Sequence, residues 1–290
     1  MCPSRLDYYK PLVIDLHNHS YYSDGVLSPT EVVRLAKKQN CDVFALTDHD
    51  TIDGLAEASL EANKLNLEFV FGTEISAMWN NMTIHILGLK INPNNKALQA
   101  ELKKYQQLRE IRSEKIARSL GGAGIIGAME KTKALAKTGM ITRTHFAQML
   151  IQEGICKDMK SVFRRFLAGK KPGGVGVKWA QFDEVIGWIR GAGGVAVLAH
   201  PFRYRMTHTK IKRMMSDLAV NGCGGIEVVT ATSSVDEIRL ASQWASELGL
   251  LASSGSDYHG WPNQRIKMGC LQDLPNFEQA IWRNWTWQNY

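Results

Sequence analysis

Cysteine is scarce in this chain. Cys2, Cys41, Cys156, Cys223 and Cys270 are odd in number and dispersed, and none forms Cys-x-x-Cys. That pattern excludes a disulfide frame and a zinc ribbon, and reads as the reduced thiols of a cytoplasmic protein. No apolar stretch approaches the roughly 20 residues that span a bilayer. The N-terminus lacks a basic start followed by an apolar run, so no signal peptide is expected. Internal repeats and low-complexity tracts are missing, which argues against a solenoid or a long disordered arm. Acidic residues are outnumbered, 28 against 35 Lys and Arg, for a net charge of +7. That excess suits an anionic substrate, nucleic acid included, and bound metal ions would strengthen it.

What is present is an ordinary globular composition, 44% hydrophobic and 22% charged over 290 residues, enough for one barrel-sized domain or two smaller ones. Leu12-Val13-Ile14 reads as a buried strand, and further strands are expected at residues 43–47, 69–74, 83–88, 194–199, 226–229 and 250–256. Helices are expected between them, at 28–40, 51–66, 182–190, 209–220 and 235–248. Ser28-Pro29-Thr30-Glu31 supplies a capping box with proline in the first turn. The alternation predicts an α/β fold with a parallel sheet. It is interrupted from about 95 to 175, where the pattern is helical throughout (95–120, 129–137, 142–153, 157–168). The expected organisation is therefore a barrel domain of residues 1–94 and 176–290 with a helical insertion, 95–175, as a cap.

Chemistry-bearing residues gather at the ends of these strands. His17 and His19 alternate with Asn18 after the first strand, so both imidazoles face one side. Asp24 follows on a loop. Asp48 and His49, Glu74, His200, Asp257 and His259 close later strands, and His85 sits inside one. The C-terminal strand ends of a closed α/β barrel are where its active site lies. Of the 8 histidines, His145 and His208 alone fall outside the pattern. Imidazole and carboxylate without thiolate make a ligand set suited to Mn, Fe or Zn. There are more ligands than one ion needs, so two or three ions are expected, with Glu74 or Asp257 able to bridge. Two glycine motifs are set aside. Gly122-x-Gly124-x-x-Gly127 follows a helix and not a strand, and Gly169-Lys170-Lys171-Pro172 lacks phosphate-loop spacing. Trp282, Trp285 and Trp287 are expected to pack a terminal helix on the body.

His17-Asn-His19, Ser23-Asp24-Gly25, Leu46-Thr47-Asp48-His49-Asp50, Gly72-Thr73-Glu74-Ile75-Ser76, Ile84-His85-Ile86, Ala199-His200-Pro201 and Gly255-Ser256-Asp257-Tyr258-His259 together resemble the PHP (polymerase and histidinol phosphatase) metallo-phosphoesterases. The resemblance implies a distorted seven-stranded (β/α) barrel with a trinuclear metal centre. Arg109-Glu-Ile-Arg112, Ile141-Thr-Arg143-Thr-His145-Phe and Ala199-His-Pro-Phe202-Arg203-Tyr204 resemble the subgroup of ribonuclease AM and the nucleoside 3′,5′-bisphosphate phosphatases. By that resemblance His17, His19, Glu74 and Asp257 hold one ion, Glu74, His85 and His200 a second, and Asp24, His49 and His259 a third. Mn is placed first among the metals, with Fe or Zn as alternatives. Phe202 stands where relatives often have a small residue.

The expected activity is phosphoester hydrolysis by a hydroxide bridging two ions, with no protein base assigned. Its substrates would be nucleoside 3′,5′-bisphosphates, which lose the 3′-phosphate, and short 5′-phosphorylated RNA or DNA, trimmed to 5′-mononucleotides as in the maturation of ribosomal RNA 5′ ends. Arg143 and Arg203, with Arg109 and Arg112, are expected to hold the phosphate that is not cleaved. Two alternatives are a non-catalytic, accessory metal-fold domain and a basic RNA-binding module. The full ligand set argues against the first, and binding that survives chelation would identify the second.

Overall fold

The apolar runs do form strands, and they join one sheet in chain order. These are β1 (Ile14–Asp15), β2 (Val43–Leu46), β3 (Glu68–Trp79), β4 (Met82–Leu89), β5 (Val195–Leu198), β6 (Gly225–Thr230) and β7 (Leu251–Gly255). The computed structural model describes residues 12–137, 140–261 and 266–286. Backbone bonds from Leu16 N to Ser254 O (3.0 Å), Asp257 N to His17 O (2.8 Å) and His19 N to Tyr258 O (2.9 Å) join the first strand to the last and close the barrel.

The expected all-parallel sheet is corrected at one strand. β4 runs antiparallel to both β3 and β5, while the other pairs are parallel. The cause is local. Asn80 and Asn81 link β3 to β4 with φ of 46° and 61°. Two successive left-handed residues make a hairpin turn, and asparagine tolerates that conformation. A two-residue link leaves no room for the crossover helix that parallel pairing needs.

Five helices cover the barrel: α1 (Pro29–Lys38), α2 (Leu55–Lys64), then α7 (Phe182–Gly191), α8 (His208–Val220) and α9 (Val235–Glu247). α2 is shorter than its sequence pattern, because Asp50 takes a left-handed φ of 52° and residues 51–54 turn before the helix begins. Between β4 and α7 lie α3 (Lys96–Gly122), α4 (Ala128–Lys133), α5 (Arg143–Gln152) and α6 (Met159–Val162), the last running on as a π-helical turn over Phe163–Leu167. The first runs slightly past its expected end and the other three are trimmed versions of the helices expected in 95–175. Gly127, with φ of 71°, begins α4, so the glycine motif serves a helix junction.

The strands bury both faces. Phe44, Leu46, Ile75, Ile86 and Leu198 pack against the helices, whereas Ile14, Leu16, Val43, Ala45 and Val197 fill the barrel interior. Trp282 closes that inner core from below. It sits in a turn after a short 3-10 segment, Phe277–Gln279, so the packing role holds but the expected terminal helix does not. Trp287 lies outside the described residues. α3 belongs to two cores. Its Leu98, Leu102 and Tyr105 join the barrel's helix layer, while Ile116 and Leu120 join Phe146, Leu150 and Leu167 in a separate cluster.

Candidate active site

β1 ends by delivering His17 and His19 to the same side, with their Nε2 atoms 3.1 Å apart. Glu74, on β3, is the hub. Its Oε2 lies 3.1 Å from His17 Nε2, 3.2 Å from His19 Nε2 and 3.0 Å from His49 Nδ1. Its Oε1 lies 2.9 Å from both His85 Nδ1 and His200 Nε2. Asp257 Oδ1 approaches His17 and His19 at 3.2 and 3.0 Å. Asp24 Oδ1 is 3.2 Å from His259 Nε2 and 3.9 Å from His49 Nε2. All nine residues expected as metal ligands thus meet in one cluster.

The donors fit cations better than they fit one another. Nitrogen faces nitrogen between His17 and His19. Asp24 Oδ1, His49 Nδ1, Glu74 Oε2, His85 Nδ1 and His200 Nδ1 are buried without an aligned hydrogen-bond partner, although several lie within 3.2 Å of an opposite group. Buried lone pairs converging in this way are what divalent ions satisfy. Three groupings follow from the distances: His17, His19, Glu74 and Asp257; His19, Asp24, His49 and His259; and His49, Glu74 and His85. The first coincides with an expected ligand set. The second adds His19 to its set, and the third has His49 where His200 was expected, though His200 still reaches Glu74.

Charge is divided accordingly. Burial opposes protonation of His17, but Glu227, Glu74 and Asp257 hold its pKa well above the usual value; Asp257 and Glu74 likewise push His19 up to about 10. Burial also opposes ionisation of Glu74, Asp24 and Asp257, yet the surrounding imidazoles, with Arg203 beside Asp257, keep all three well below the carboxylate range. Burial lowers His49 and His200. Protonated imidazoles against ionised carboxylates mark a site where metal binding would release protons.

Several supporting residues were not singled out from the sequence. Glu227, on β6, lies 2.9 Å from His17 Nδ1 and accepts the His200 backbone N–H at 2.6 Å. A lone carboxylate inside Ile226-Glu-Val-Val was its available signal. The Tyr204 hydroxyl accepts the His85 N–H at 2.8 Å. Asp48 stays out of the cluster. It accepts from Ser20 N, Ser20 Oγ and Ser23 Oγ at 2.8, 2.6 and 2.6 Å and so shapes the loop that carries Asp24. His200 and Asp257 take left-handed φ of 32° and 56°. Such backbone costs about 1–3 kcal/mol per residue and is found where position matters more than relaxation. Gly255 lets β7 pass close by, since a Cβ there would stand 2.3 Å from His17 Cβ and 2.6 Å from Glu227 Oε1.

The four arginines divide into two kinds. Arg203 is paired with Asp257. Arg109 is buried, donates from Nε to Asp50 Oδ2 at 2.7 Å and from Nη2 to Ser76 Oγ at 3.3 Å, and lies over the Trp179 ring. Arg112 donates from Nε to Val175 O at 3.0 Å. Arg143, the first residue of α5, makes no hydrogen bond among the described residues and lies 5.9 Å from the Phe163 ring centre. Its neighbour Thr144 donates to Asp24 Oδ2 at 2.9 Å, tying α5 to the cluster. Burial and then the charges of Arg143 and Arg109 push Arg112 down to about 9, and burial with Arg109 lowers Arg143. Like charges thus form a crowded basic cluster beside Asp24. His145 is not part of it; its Nδ1 accepts the Thr142 N–H at 3.1 Å, capping α5.

The PHP-domain profile matches residues 15–189. A 3′,5′-nucleoside bisphosphate phosphatase of Chromobacterium violaceum is 43% identical over 93% of this chain and 95% of its own length. The 5′-3′ exoribonuclease Rnm of Escherichia coli is 36% identical over 94% of each. A solved structure from Chromobacterium violaceum, described as an amidohydrolase with bound sulfate and no metal, superposes with a TM-score of 0.88 at 44% identity, covering 93% of this chain and 94% of that one.

Proposed function

The chain belongs to the PHP-domain family, and from that premise we propose that it is a metal-dependent phosphoesterase acting on nucleotides. It removes the 3′-phosphate of nucleoside 3′,5′-bisphosphates and releases 5′-mononucleotides stepwise from short 5′-phosphorylated RNA or DNA. The observation that carries this reading is the convergence of five imidazoles on Glu74, with the Arg143 pocket one hydrogen bond away through Thr144 and Asp24.

His17, His19, Asp24, His49, Glu74, His85, His200, Asp257 and His259 would hold three divalent ions. Mn is our first choice, with Fe or Zn as alternatives. When bound, the ions supply positive charge against the phosphoryl oxygens and a water acidified to near neutrality. Both substrates lose the same bond, P–O3′, and the proton gained ends on O3′. The protein's part is placement. Arg143 and Arg112 grip the 5′-phosphate that is not cleaved, and a guanidinium fork suits that two-point capture. Arg203 holds Asp257 and faces the mouth. Arg109 is spent on Asp50, so its role is to hold α3 against the barrel. Residues 95–175 form a cap over a barrel of 1–94 and 176–290; the separate core from Ile116 to Leu167 supports that division, and the first half of α3 packs on the barrel.

Unpaired Cys41, Cys156, Cys223 and Cys270 support a cytoplasmic enzyme. No helix among the described residues is long and apolar enough to cross a membrane. The test is turnover of a nucleoside 3′,5′-bisphosphate and of 5′-phosphorylated RNA with added Mn. Turnover of both that chelation abolishes is expected. Nucleic-acid binding that survives chelation, with no turnover of either substrate, would instead favour the RNA-binding reading.

A further inference from the structure

The Arg143 pocket accounts for the 5′ side of a substrate. It adjoins Asp24, after β1. Another opening leaves the cluster by way of β5 and β6. It is a pocket of about 150 Å³ walled by His200, Phe202, Arg203, Thr230, Thr232 and Ser233. Its lining is rich in hydroxyls. The one carboxylate in it, Glu237, is turned to its own helix cap and accepts from Ser234 N and Oγ at 2.8 and 3.0 Å. Phe202 forms part of its wall. The ring stacks on Trp244 at 5.9 Å and meets His208 edge-on at the same distance. Trp244 and His208 also line a second groove, about 390 Å³, with Lys212 and Arg213. The two openings thus meet at one aromatic cluster and run from the metal cluster to the basic face of α8. Arg213 lines that groove, and Lys210, exposed three residues before it, shares its side of the helix.

We propose that this track carries the part of a single-stranded oligonucleotide that follows the scissile phosphate. The inference rests on the proposed phosphoesterase activity and deepens it. A nucleoside 3′,5′-bisphosphate ends at the phosphate being cleaved and has nothing to place in the track. An oligonucleotide carries a further ribose on that phosphate, then more phosphates. Hydroxyls suit the first, and a basic helix face suits the rest. The track therefore separates the two activities. One site cleaves the bond in both, and the track adds affinity only where a chain continues.

The experiment uses the full chain with charge reversed on the track, Lys210→Glu together with Arg213→Glu. A control protein carries Lys115→Glu and Arg118→Glu, the same charge change on exposed residues of α3. Substrates are a nucleoside 3′,5′-bisphosphate, a 5′-phosphorylated dinucleotide and a 5′-phosphorylated hexanucleotide. Wild type should gain in kcat/KM from dinucleotide to hexanucleotide. The track variant should lose about tenfold on the hexanucleotide, with a shallower dependence on salt, and keep its bisphosphate turnover. An unchanged gain with length, or an equal loss in the control protein, would overturn the track while leaving the phosphoesterase reading standing. Absence of turnover on all three substrates in wild type would instead overturn that reading.

Discussion

Two clusters of charge, one buried and one half-buried, lie one hydrogen bond apart in this protein and are built on opposite plans. Around Glu74, imidazoles and carboxylates alternate; the carboxylates raise His17 and His19, and the imidazoles lower Glu74. Beneath α5, Arg112 and Arg143 face like charge, and the shift is toward losing the proton. The first cluster is nearly balanced in itself but has lone pairs left over. The second is unbalanced and has donors left over. Unscreened charge is costly to bury, so in the proposed reading a guest completes each cluster: cations in one, an anion in the other. A phosphorylated nucleotide held between bound metals and arginines answers both needs.

The largest effect is expected from Asp257→Ala, which removes a carboxylate that touches His17, His19 and Arg203 at once. Loss of supporting partners alone lowers metal affinity or activity about 10–100-fold, and loss of a direct ligand should exceed that. Turnover of both substrates should fall together, with fewer ions bound by metal analysis. Near wild-type turnover with full metal loading would remove Asp257 from the ligand set.

Next comes the joint between the clusters. Arg109→Met leaves Asp50 buried against Ser76 without its cation, and such a loss typically costs about 3–5 kcal/mol. Urea denaturation should register it. Asp50→Asn with Arg109→Met should recover part of the loss, because the stranded charge is gone. If Arg109→Met is as stable as wild type and instead loses affinity for 5′-phosphorylated substrate, Arg109 serves the phosphate after all.

These joints explain what could be read from the chain alone. The barrel and its nine-residue cluster were legible because strand ends are short-range features: an apolar run, then a histidine or carboxylate. The reversal of β4 was less so, since Asn80-Asn81 is a strong hairpin signal only once both flanking runs are taken as neighbours. The arginines were least legible. Arg109 and Arg112 share a helix and a motif, yet the fold sets one on Asp50 and the other on a backbone carbonyl, 59 and 63 positions away in the chain. Nothing within a helix encodes so distant a partner.

Arg143→Ala tests the anion pocket by itself. A charge-assisted hydrogen bond contributes about 1.5–3 kcal/mol, so preference for a 5′-phosphorylated oligonucleotide over its unphosphorylated twin should drop about 10–100-fold. Arg143→Lys should restore part of it, since a point charge cannot reproduce the fork. Metal content should not change. A variant that keeps the full preference would put the 5′-phosphate elsewhere.

The smallest effect expected is that of Glu227→Gln, and it sharpens the comparison most. Glu227 stands behind the cluster and touches it at two points, His17 Nδ1 and the backbone N–H of His200. A carboxylate can accept from both at once. A glutamine has the same shape but one acceptor oxygen, so one of the two contacts must go. If His17 loses its partner, the ring is freer to turn and less basic, and metal affinity should fall about tenfold, the low end for a supporting carboxylate. If the His200 N–H loses its partner, the left-handed turn at φ 32° is left with less to hold it, and stability should fall by about 1–3 kcal/mol. Metal titration and urea denaturation of the same protein separate the two. Either loss would leave the Arg143 pocket intact, and the preference for a 5′-phosphate should survive even as turnover declines. A Glu227→Gln protein unchanged in both measurements would mean that β1 alone aims His17.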